Sequence, residues 1–149
     1  MNGCYFDAAY LAKCYLNEPD SPAVRELARS AGTLQTSALA IAELACVLHR
    51  HVREGVLKPK MAGHHLGDMF LEDVRSEMWL LLPVTDHILR QVDSLTRRLS
   101  PEVFLRAGDA IHIVSAVEAG FNEIWTNDRH LLSAAAHIGL QGRSIRFAR

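Results

Sequence analysis

Short apolar runs alternate along the chain with longer segments whose apolar residues recur at helical spacing. The short runs predict strands at residues 4–6, 34–36, 80–84 and 123–126, and an alternating pattern predicts a last strand at 144–147. The longer segments predict helices between them. Strands that alternate with helices in this way are typical of a parallel sheet covered by helices on both faces. We therefore expect an α/β fold whose site lies beyond the carboxyl ends of the strands.

Two serines are predicted to start helices. Ser21 precedes Pro22, the combination expected of a helix cap followed by the first helical residue. Ser37 is predicted to cap a long helix that ends near Gly55. A further helix is expected to open at Pro59.

Length and composition indicate a single soluble domain over residues 1–149. The chain is 49% apolar and 22% charged, which excludes disordered and disulfide-scaffold classes. No apolar run approaches the ~20 residues of a membrane helix, and the first residues lack the pattern of a signal peptide. We therefore expect a cytoplasmic protein. A net charge of −1 provides no global attraction to nucleic acid, so any such contact must come from a local patch.

Glu43 is the most informative residue in the sequence. It is the only charged residue between positions 37 and 48, and its neighbours one helical turn away are apolar. A carboxylate on such a face is costly to desolvate unless a cation pairs with it. Two interpretations remain open: Glu43 is buried against an arginine from elsewhere in the fold, or it is a metal ligand.

Three aspartates stand at comparable places. Asp7 directly follows the first predicted strand, and Asp128 follows the predicted strand that ends at Thr126, so each could cap the next helix. Asp109 lies in the first turn of a helix, where the helix dipole favours an acid. In a doubly wound sheet, these residues and Glu43 could converge on one pocket. Four clustered carboxylates need cations to remain ionised, and an all-oxygen set selects Mg²⁺ or Mn²⁺. The combination predicts a metal-dependent phosphodiesterase.

Four segments also carry a family resemblance. In chain order they are Tyr5-Phe6-Asp7-Ala8-Ala9-Tyr10-Leu11-Ala12-Lys13, Thr36-Ser37-Ala38-Leu39-Ala40-Ile41-Ala42-Glu43, Leu105-Arg106-Ala107-Gly108-Asp109-Ala110-Ile111-His112 and Thr126-Asn127-Asp128-Arg129-His130-Leu131. Together they resemble the acidic segments of PIN-domain nucleases, and within these the VapC-like toxins of bacterial toxin–antitoxin pairs. The order of the segments is that of the family, and they span nearly the whole chain.

The resemblance implies a fold, an activity and partners. The expected fold is a three-layer α/β/α PIN-like domain with a short central parallel sheet of four to five strands. The expected activity is endonucleolytic cleavage of structured RNA, often tRNA or ribosomal RNA, with Mg²⁺ or Mn²⁺, leaving a 5′-phosphate and a 3′-hydroxyl. A cognate antitoxin protein and a second copy of the chain are the expected partners. The resemblance assigns metal binding and catalysis to Asp7, Glu43, Asp109 and Asp128, and an orienting role to Thr126.

Residues that flank these acids have two interpretations each. Arg106, Arg129 and His130 could contact RNA phosphates or form salt bridges with the acids. His112 could be a structural histidine, or it could support the acids or touch the substrate.

One departure from the family pattern keeps two alternatives open. Ala8 and Ala9 stand where the family often has Ser or Thr, so a hydroxyl that would support Asp7 is missing, which predicts a looser metal site. One alternative is a PIN nuclease of RNA processing or DNA repair. The other is a non-catalytic PIN-like module that binds RNA or protein, although retention of all four acids argues against it.

Overall fold

The computed structural model describes residues 3–145, in which strands alternate with helices along the chain. The strands are β1 (Cys4–Tyr5), β2 (Leu34–Ser37), β3 (Trp79–Leu82), β4 (Glu123–Trp125) and β5 (Gln141–Arg143). The helices are α1 (Ala8–Ala12), α2 (Ser21–Ser30), α3 (Ala40–Arg53), α4 (Asp68–Arg75), α5 (Asp86–Arg98), α6 (Ala107–Glu118) and α7 (Arg129–Ala136). A π-helix, Met61–Gly67, leads directly into α4.

All strand pairs in the described part of the chain are parallel. β2 pairs with β1 on one side and with β3 on the other, and β4 pairs with β5. A parallel bridge between Phe6 and Trp125 joins the two groups, and the N–H of Asp7 donates to the carbonyl of Trp125 at 3.1 Å. The spatial order is therefore β3-β2-β1-β4-β5, which confirms the predicted parallel sheet.

Two hydrophobic cores lie on opposite faces of this sheet. Phe6 packs in the core formed with α1, α3 and α4, whereas Tyr5, its neighbour along the chain, packs in the core formed with α5, α6 and α7. Successive residues of a strand point to opposite faces, so this division places helices on both sides of the sheet. The three-layer α/β/α architecture is confirmed. Among the described residues, no helix combines the length and apolar character needed to cross a membrane.

The strand predicted at residues 144–147 is not formed by Ser144 and Ile145, the two of its residues that the structure describes. Among the described residues the last strand is β5, at Gln141–Arg143, and Ser144 and Ile145 follow it, while residues 146 and 147 lie outside the described residues. Gly142 explains why the pattern of apolar residues did not predict β5. A Cβ there would stand 2.6 Å from a side-chain carbon of Leu132 on α7, so the strand passes that helix by backbone approach rather than by side-chain packing.

The two predicted serine caps are displaced. Ser37 is the last residue of β2, and its hydroxyl accepts the N–H of Leu39 at 3.1 Å in the turn before α3, which begins only at Ala40. Ser21 is the first helical residue of α2 instead of its cap, and its hydroxyl donates to the Leu16 carbonyl at 2.8 Å. Both serines therefore bond to turns, as short hydroxyl side chains readily do.

Candidate active site

The carboxyl ends of β1 and β4 lie side by side, and a predicted site residue follows each of them. Asp7 comes after the Phe6–Trp125 bridge, and Thr126 directly follows β4. The Thr126 hydroxyl donates to Oδ2 of Asp7 at 2.5 Å and accepts the N–H of Asp128 at 3.0 Å. One threonine thus connects the first and the fourth predicted acids.

Asp7 is a buried carboxylate with a perturbed pKa. Only 5% of the residue is exposed, and its Oδ1 accepts the N–H of Tyr10 at 2.8 Å at the start of α1. Burial raises the pKa of Asp7 to about 6; Glu43 acts in the same direction, whereas His112 and the hydrogen bonds from Thr126 and Tyr10 oppose the shift. Ionising Asp7 at this place is therefore unfavourable, and a nearby cation would make it easier.

Thr126, which directly follows β4, supplies Asp7 with the hydroxyl that residues 8 and 9 do not offer. Ala8 and Ala9 offer no hydrogen-bonding side chain, yet both carboxylate oxygens of Asp7 are bonded, one of them to the Thr126 hydroxyl. Asp7 therefore has a hydroxyl partner despite these alanines, and the looser metal site stays a prediction.

Glu43 is held by a histidine and not by the arginine considered from sequence. It lies in the first turn of α3, and its Oε1 is 2.6 Å from Nε2 of His112 on α6. Nδ1 of His112 is 2.8 Å from the hydroxyl of Tyr5 in β1. An ionised carboxylate can only accept, so Nε2 of His112 carries a proton. His112 is 1% exposed and Glu43 is partly exposed, so the Tyr5–His112–Glu43 chain links three elements and runs from the core toward the surface.

Arg106 joins the remaining two acids. Its Nε lies 3.3 Å from Oδ2 of Asp109, and its Nη2 lies 2.9 Å from Oδ2 of Asp128. Burial raises the pKa of Asp109, and repulsion from Asp128 adds to this, while Arg106 opposes it. The salt-bridge interpretation of Arg106 is confirmed.

The capping interpretation of Asp7 and Asp128 is also correct, and it leaves room for a second role. Oδ1 of Asp128 accepts the N–H groups of His130 and Leu131 at the start of α7, at 2.8 and 3.3 Å. Each aspartate caps its helix with Oδ1 alone. The other oxygen of each carboxylate is turned toward the site, to Thr126 or to Arg106.

The four acids form two electrostatically interacting pairs. Asp7 and Glu43 repel each other, and so do Asp109 and Asp128. The His112 side chain attracts both Asp7 and Asp109, which connects the two pairs. The fold therefore assembles side chains that come from four separate segments of the sequence.

The donor chemistry of this group fits a hard divalent cation. All four acids offer only oxygen, which Mg²⁺ and Mn²⁺ prefer, and two of them have raised pKa values because they are crowded and poorly hydrated. Within residues 3–145, however, no three carboxylate, histidine or cysteine side chains are grouped so that they could hold a metal ion. Arg106 and His112 bond to oxygens that a cation would need, so a cation would compete with them.

Two aromatic residues at the site were not assigned a role from sequence. Tyr5 belongs to the first resembling segment, but its bond to His112 spans 107 positions and has no local signal. Phe104 lies two residues before Arg106 and contacts His130, an exposed residue at the start of α7. The position of Phe104, two residues before Arg106, is the signal in the sequence that could have identified it as a site residue. Arg129, the first residue of α7, is exposed.

Comparison with known protein families gives one match. A model described as PIN domain matches residues 4–137, a range that runs from β1 to the end of α7 and contains all four acids. No curated protein matches the chain with significant similarity.

Proposed function

Because the chain belongs to the PIN domain family, whose members are generally metal-dependent nucleases, we propose that it is an endoribonuclease that requires Mg²⁺ or Mn²⁺. The reaction would be hydrolysis of phosphodiester bonds in structured RNA. A single observation carries the proposal: the four carboxylates form two interacting pairs, Asp7 with Glu43 and Asp109 with Asp128, and Thr126 bonds to both Asp7 and Asp128 beyond the carboxyl ends of β1 and β4. In parallel α/β sheets, this edge is where ligands bind.

In this proposal the four acids, Asp7, Glu43, Asp109 and Asp128, hold the metal and are the catalytic residues. A divalent cation at such a site supplies positive charge to the scissile phosphate and promotes the ionisation of water. Burial and repulsion raise the pKa values of Asp7 and Asp109, which supports a role for a cation at this site.

The remaining side chains hold and orient these acids. His112 fixes Glu43 through a 2.6 Å hydrogen bond and is itself fixed by Tyr5, while Thr126 fixes Asp7. Restricting a carboxylate in this way keeps its oxygens pointed at one place and lowers the entropy lost on binding.

Exposed arginines supply contacts to the RNA backbone in this proposal. Arg106 has 60% of its side chain exposed although it bonds to two acids, and Arg129 is exposed next to Asp128. Guanidinium groups bind phosphate oxygens in a bidentate manner, so both residues can hold phosphates that flank the cleaved bond.

We propose further that the protein is the toxin of a toxin–antitoxin pair that cleaves tRNA or ribosomal RNA. The four segments that resemble VapC-like toxins support this role, and with it a cognate antitoxin protein and a homodimer. A PIN nuclease of RNA processing or DNA repair would share the same acids. Induced expression of a toxin arrests growth, and induced expression of its catalytically inactive variant does not. This comparison distinguishes the toxin from such an enzyme.

Metal binding tests the proposal even before the RNA target is identified. Calorimetric titration of the pure protein with Mn²⁺ is expected to show binding that weakens at least about tenfold in Asp109→Asn, because one charged ligand becomes neutral. The same variant should lose Mn²⁺-dependent cleavage of purified tRNA and ribosomal RNA.

Asp93→Asn is the matched control for this substitution. Asp93 lies on α5, where its exposed carboxylate pairs with Arg97 at 2.9 Å, so its loss removes an equal charge away from the site. Equal Mn²⁺ affinity in the parent, the control and Asp109→Asn would contradict the proposed metal site. A folded parent that binds no Mn²⁺ with RNA present would favour the non-catalytic module.

A further inference from the structure

A partly exposed aromatic ring stands beside the candidate active site. Phe104 lies in the loop between α5 and α6, and 52% of it is exposed. Its ring centre is 4.3 Å from that of His130, with 40° between the ring planes. The guanidinium carbon of Arg106 lies 5.8 Å from the centre of the same ring.

Exposure of one apolar side chain is ordinary, but its surroundings here are not. Arg106 is the residue that bonds to both Asp109 and Asp128, so the Phe104 ring is one contact away from two of the four acids. His130 follows Asp128 by two residues, and its N–H bonds to that carboxylate. The ring is thus held next to the acids from both sides, by a residue before α6 and by a residue in the first turn of α7.

We propose that Phe104, with His130 and Arg106 around it, is a stacking platform for an unpaired base of the nucleic acid strand; this inference rests on the proposed nuclease function. Aromatic rings and guanidinium groups are the side chains on which bases of single strands stack. A base on Phe104 would place the neighbouring phosphate near the acids, since Arg106 contacts both the ring and the two aspartates.

The platform has a consequence for substrate choice. A base inside a duplex has both faces covered by its neighbours and cannot stack on a protein ring, so the platform selects an unpaired base in a loop, bulge or single strand. Because every base has an aromatic face, the platform by itself is tolerant of sequence. The platform therefore recognises whether a base is paired and not which base it is.

Binding to a strand with and without bases tests the platform directly. In the Asp109→Asn background, which is expected not to cleave, fluorescence anisotropy is measured with a labelled twelve-nucleotide strand and with a strand of the same length made of abasic sites. Phe104→Leu is expected to weaken binding of the base-containing strand about tenfold and to leave binding of the abasic strand unchanged. Phe104→Trp should bind the base-containing strand at least as tightly as the parent.

Two controls separate stacking from a structural effect. Met78→Ala removes an apolar side chain that is 55% exposed in the turn between α4 and β3, and it should leave binding of both strands unchanged. An RNA strand and a DNA strand of one sequence tell whether the sugar matters in addition to the base. Equal weakening of the base-containing and abasic strands by Phe104→Leu, or no weakening of either, would overturn the platform.

Cleavage assays keep this inference distinct from the proposed function. With Mn²⁺ and an intact Asp109, Phe104→Leu should lower kcat/KM for an unpaired strand more than for a duplex. If the parent cleaves RNA and Phe104→Leu shows the same ratio as the parent, the platform is wrong and the nuclease stands. If the parent cleaves nothing, the nuclease is wrong, and the two binding affinities still decide the platform. A parent that binds neither strand overturns both.

Discussion

Individual carboxylates at the candidate site differ in what balances their charge. Asp109 and Asp128 share the guanidinium group of Arg106, whereas Asp7 is bonded to uncharged donors, a backbone N–H and a hydroxyl. Hydrogen bonds offset desolvation less completely than an ion pair, and Asp7 is accordingly the acid whose pKa rises to about 6. The free-energy cost of ionising Asp7 in the folded protein can therefore be measured as a change in stability.

Replacing Asp7 with an uncharged isostere is expected to stabilise the metal-free protein at neutral pH. The carboxyl binds its proton more tightly in the folded protein, with a pKa of about 6, than in the unfolded chain, where the ordinary value is 3.8. The folded protein therefore loses stability as the pH rises from about 4 to about 6, and Asp7→Asn does not. At pH 7.5 with a chelator, the variant should gain at most about 3 kcal/mol in the free energy of unfolding.

The gain should disappear when the measurement is repeated at pH 4. Urea unfolding gives the free energy at both pH values, and Asn keeps the cap of α1 because it is as good a capping residue as Asp. Asp93→Asn, at an exposed site, should show no pH-dependent gain. A variant less stable than the parent at pH 7.5 would mean that ionised Asp7 stabilises the fold.

Substitution of Arg106 is expected to move metal binding and RNA binding in opposite directions. Arg106→Ala frees oxygens of Asp109 and Asp128 and removes a positive charge beside them. Mn²⁺ affinity should then rise, by about fivefold if the screened repulsion is near 1 kcal/mol. RNA affinity should fall, and its dependence on salt concentration should become weaker.

Arg106→Lys provides the matched control because it keeps the charge and loses the fork of donors. It should leave Mn²⁺ affinity near that of the parent, as measured by calorimetry. If Arg106→Ala weakens Mn²⁺ binding instead, Arg106 holds the carboxylates in the arrangement that the metal needs.

At the scale of elements, the site depends on the contact between the ends of β1 and β4. β1 belongs to the group β1-β2-β3, and β4 belongs to the pair β4-β5. Among the described strand pairings, the Phe6–Trp125 bridge is the one that joins these two groups. The Thr126 hydroxyl adds a hydrogen bond to Asp7 at that point. The hydrogen bond from Thr126 lowers the pKa of Asp7 against the larger effect of burial. Its removal should therefore be visible in how metal binding depends on pH.

Thr126→Val keeps the shape of the side chain and deletes the hydroxyl. The pKa of Asp7 should then rise further, and the pH at which Mn²⁺ binding reaches half of its maximum should increase by roughly one unit. Calorimetric titrations between pH 5 and pH 8 measure this shift. Thr126→Ser, which keeps the hydroxyl, should restore the parent's profile, and an unchanged profile in Thr126→Val would remove Thr126 from the support of Asp7.

Elements with an apolar periodicity of their own were predictable, and those held by backbone contacts were not. β2 and β3 lie close to the segments that their apolar patterns predicted. β5 contains no apolar alternation, because Gly142 brings its backbone against α7 and only its pairing with β4 defines it. The helix predicted from Pro59 does begin there, but it winds as a π-helix over Met61–Gly67 before α4, a change of winding that side-chain pattern does not encode.

For the whole molecule, a net charge of −1 means that attraction to nucleic acid must be local. The arrangement meets this condition, because the arginine-bearing end of α6 and the start of α7 stand next to the acids at one edge of the sheet. The two cores on either face of the sheet hold these helix ends in place. The proposed nuclease is therefore a nearly neutral molecule whose site-forming charged residues lie at one edge of the sheet.

The sequence by itself predicted the alternation of strands and helices, the parallel sheet and the four candidate acids, because periodicity and capping are local properties of the chain. Only the tertiary structure decided which groups these acids meet. His112 reaches Glu43 across 69 positions, Arg106 reaches Asp128 across 22, and Phe104 rests on His130. Such contacts depend on the spatial order of the strands and on the packing of helices above them, which no local pattern specifies.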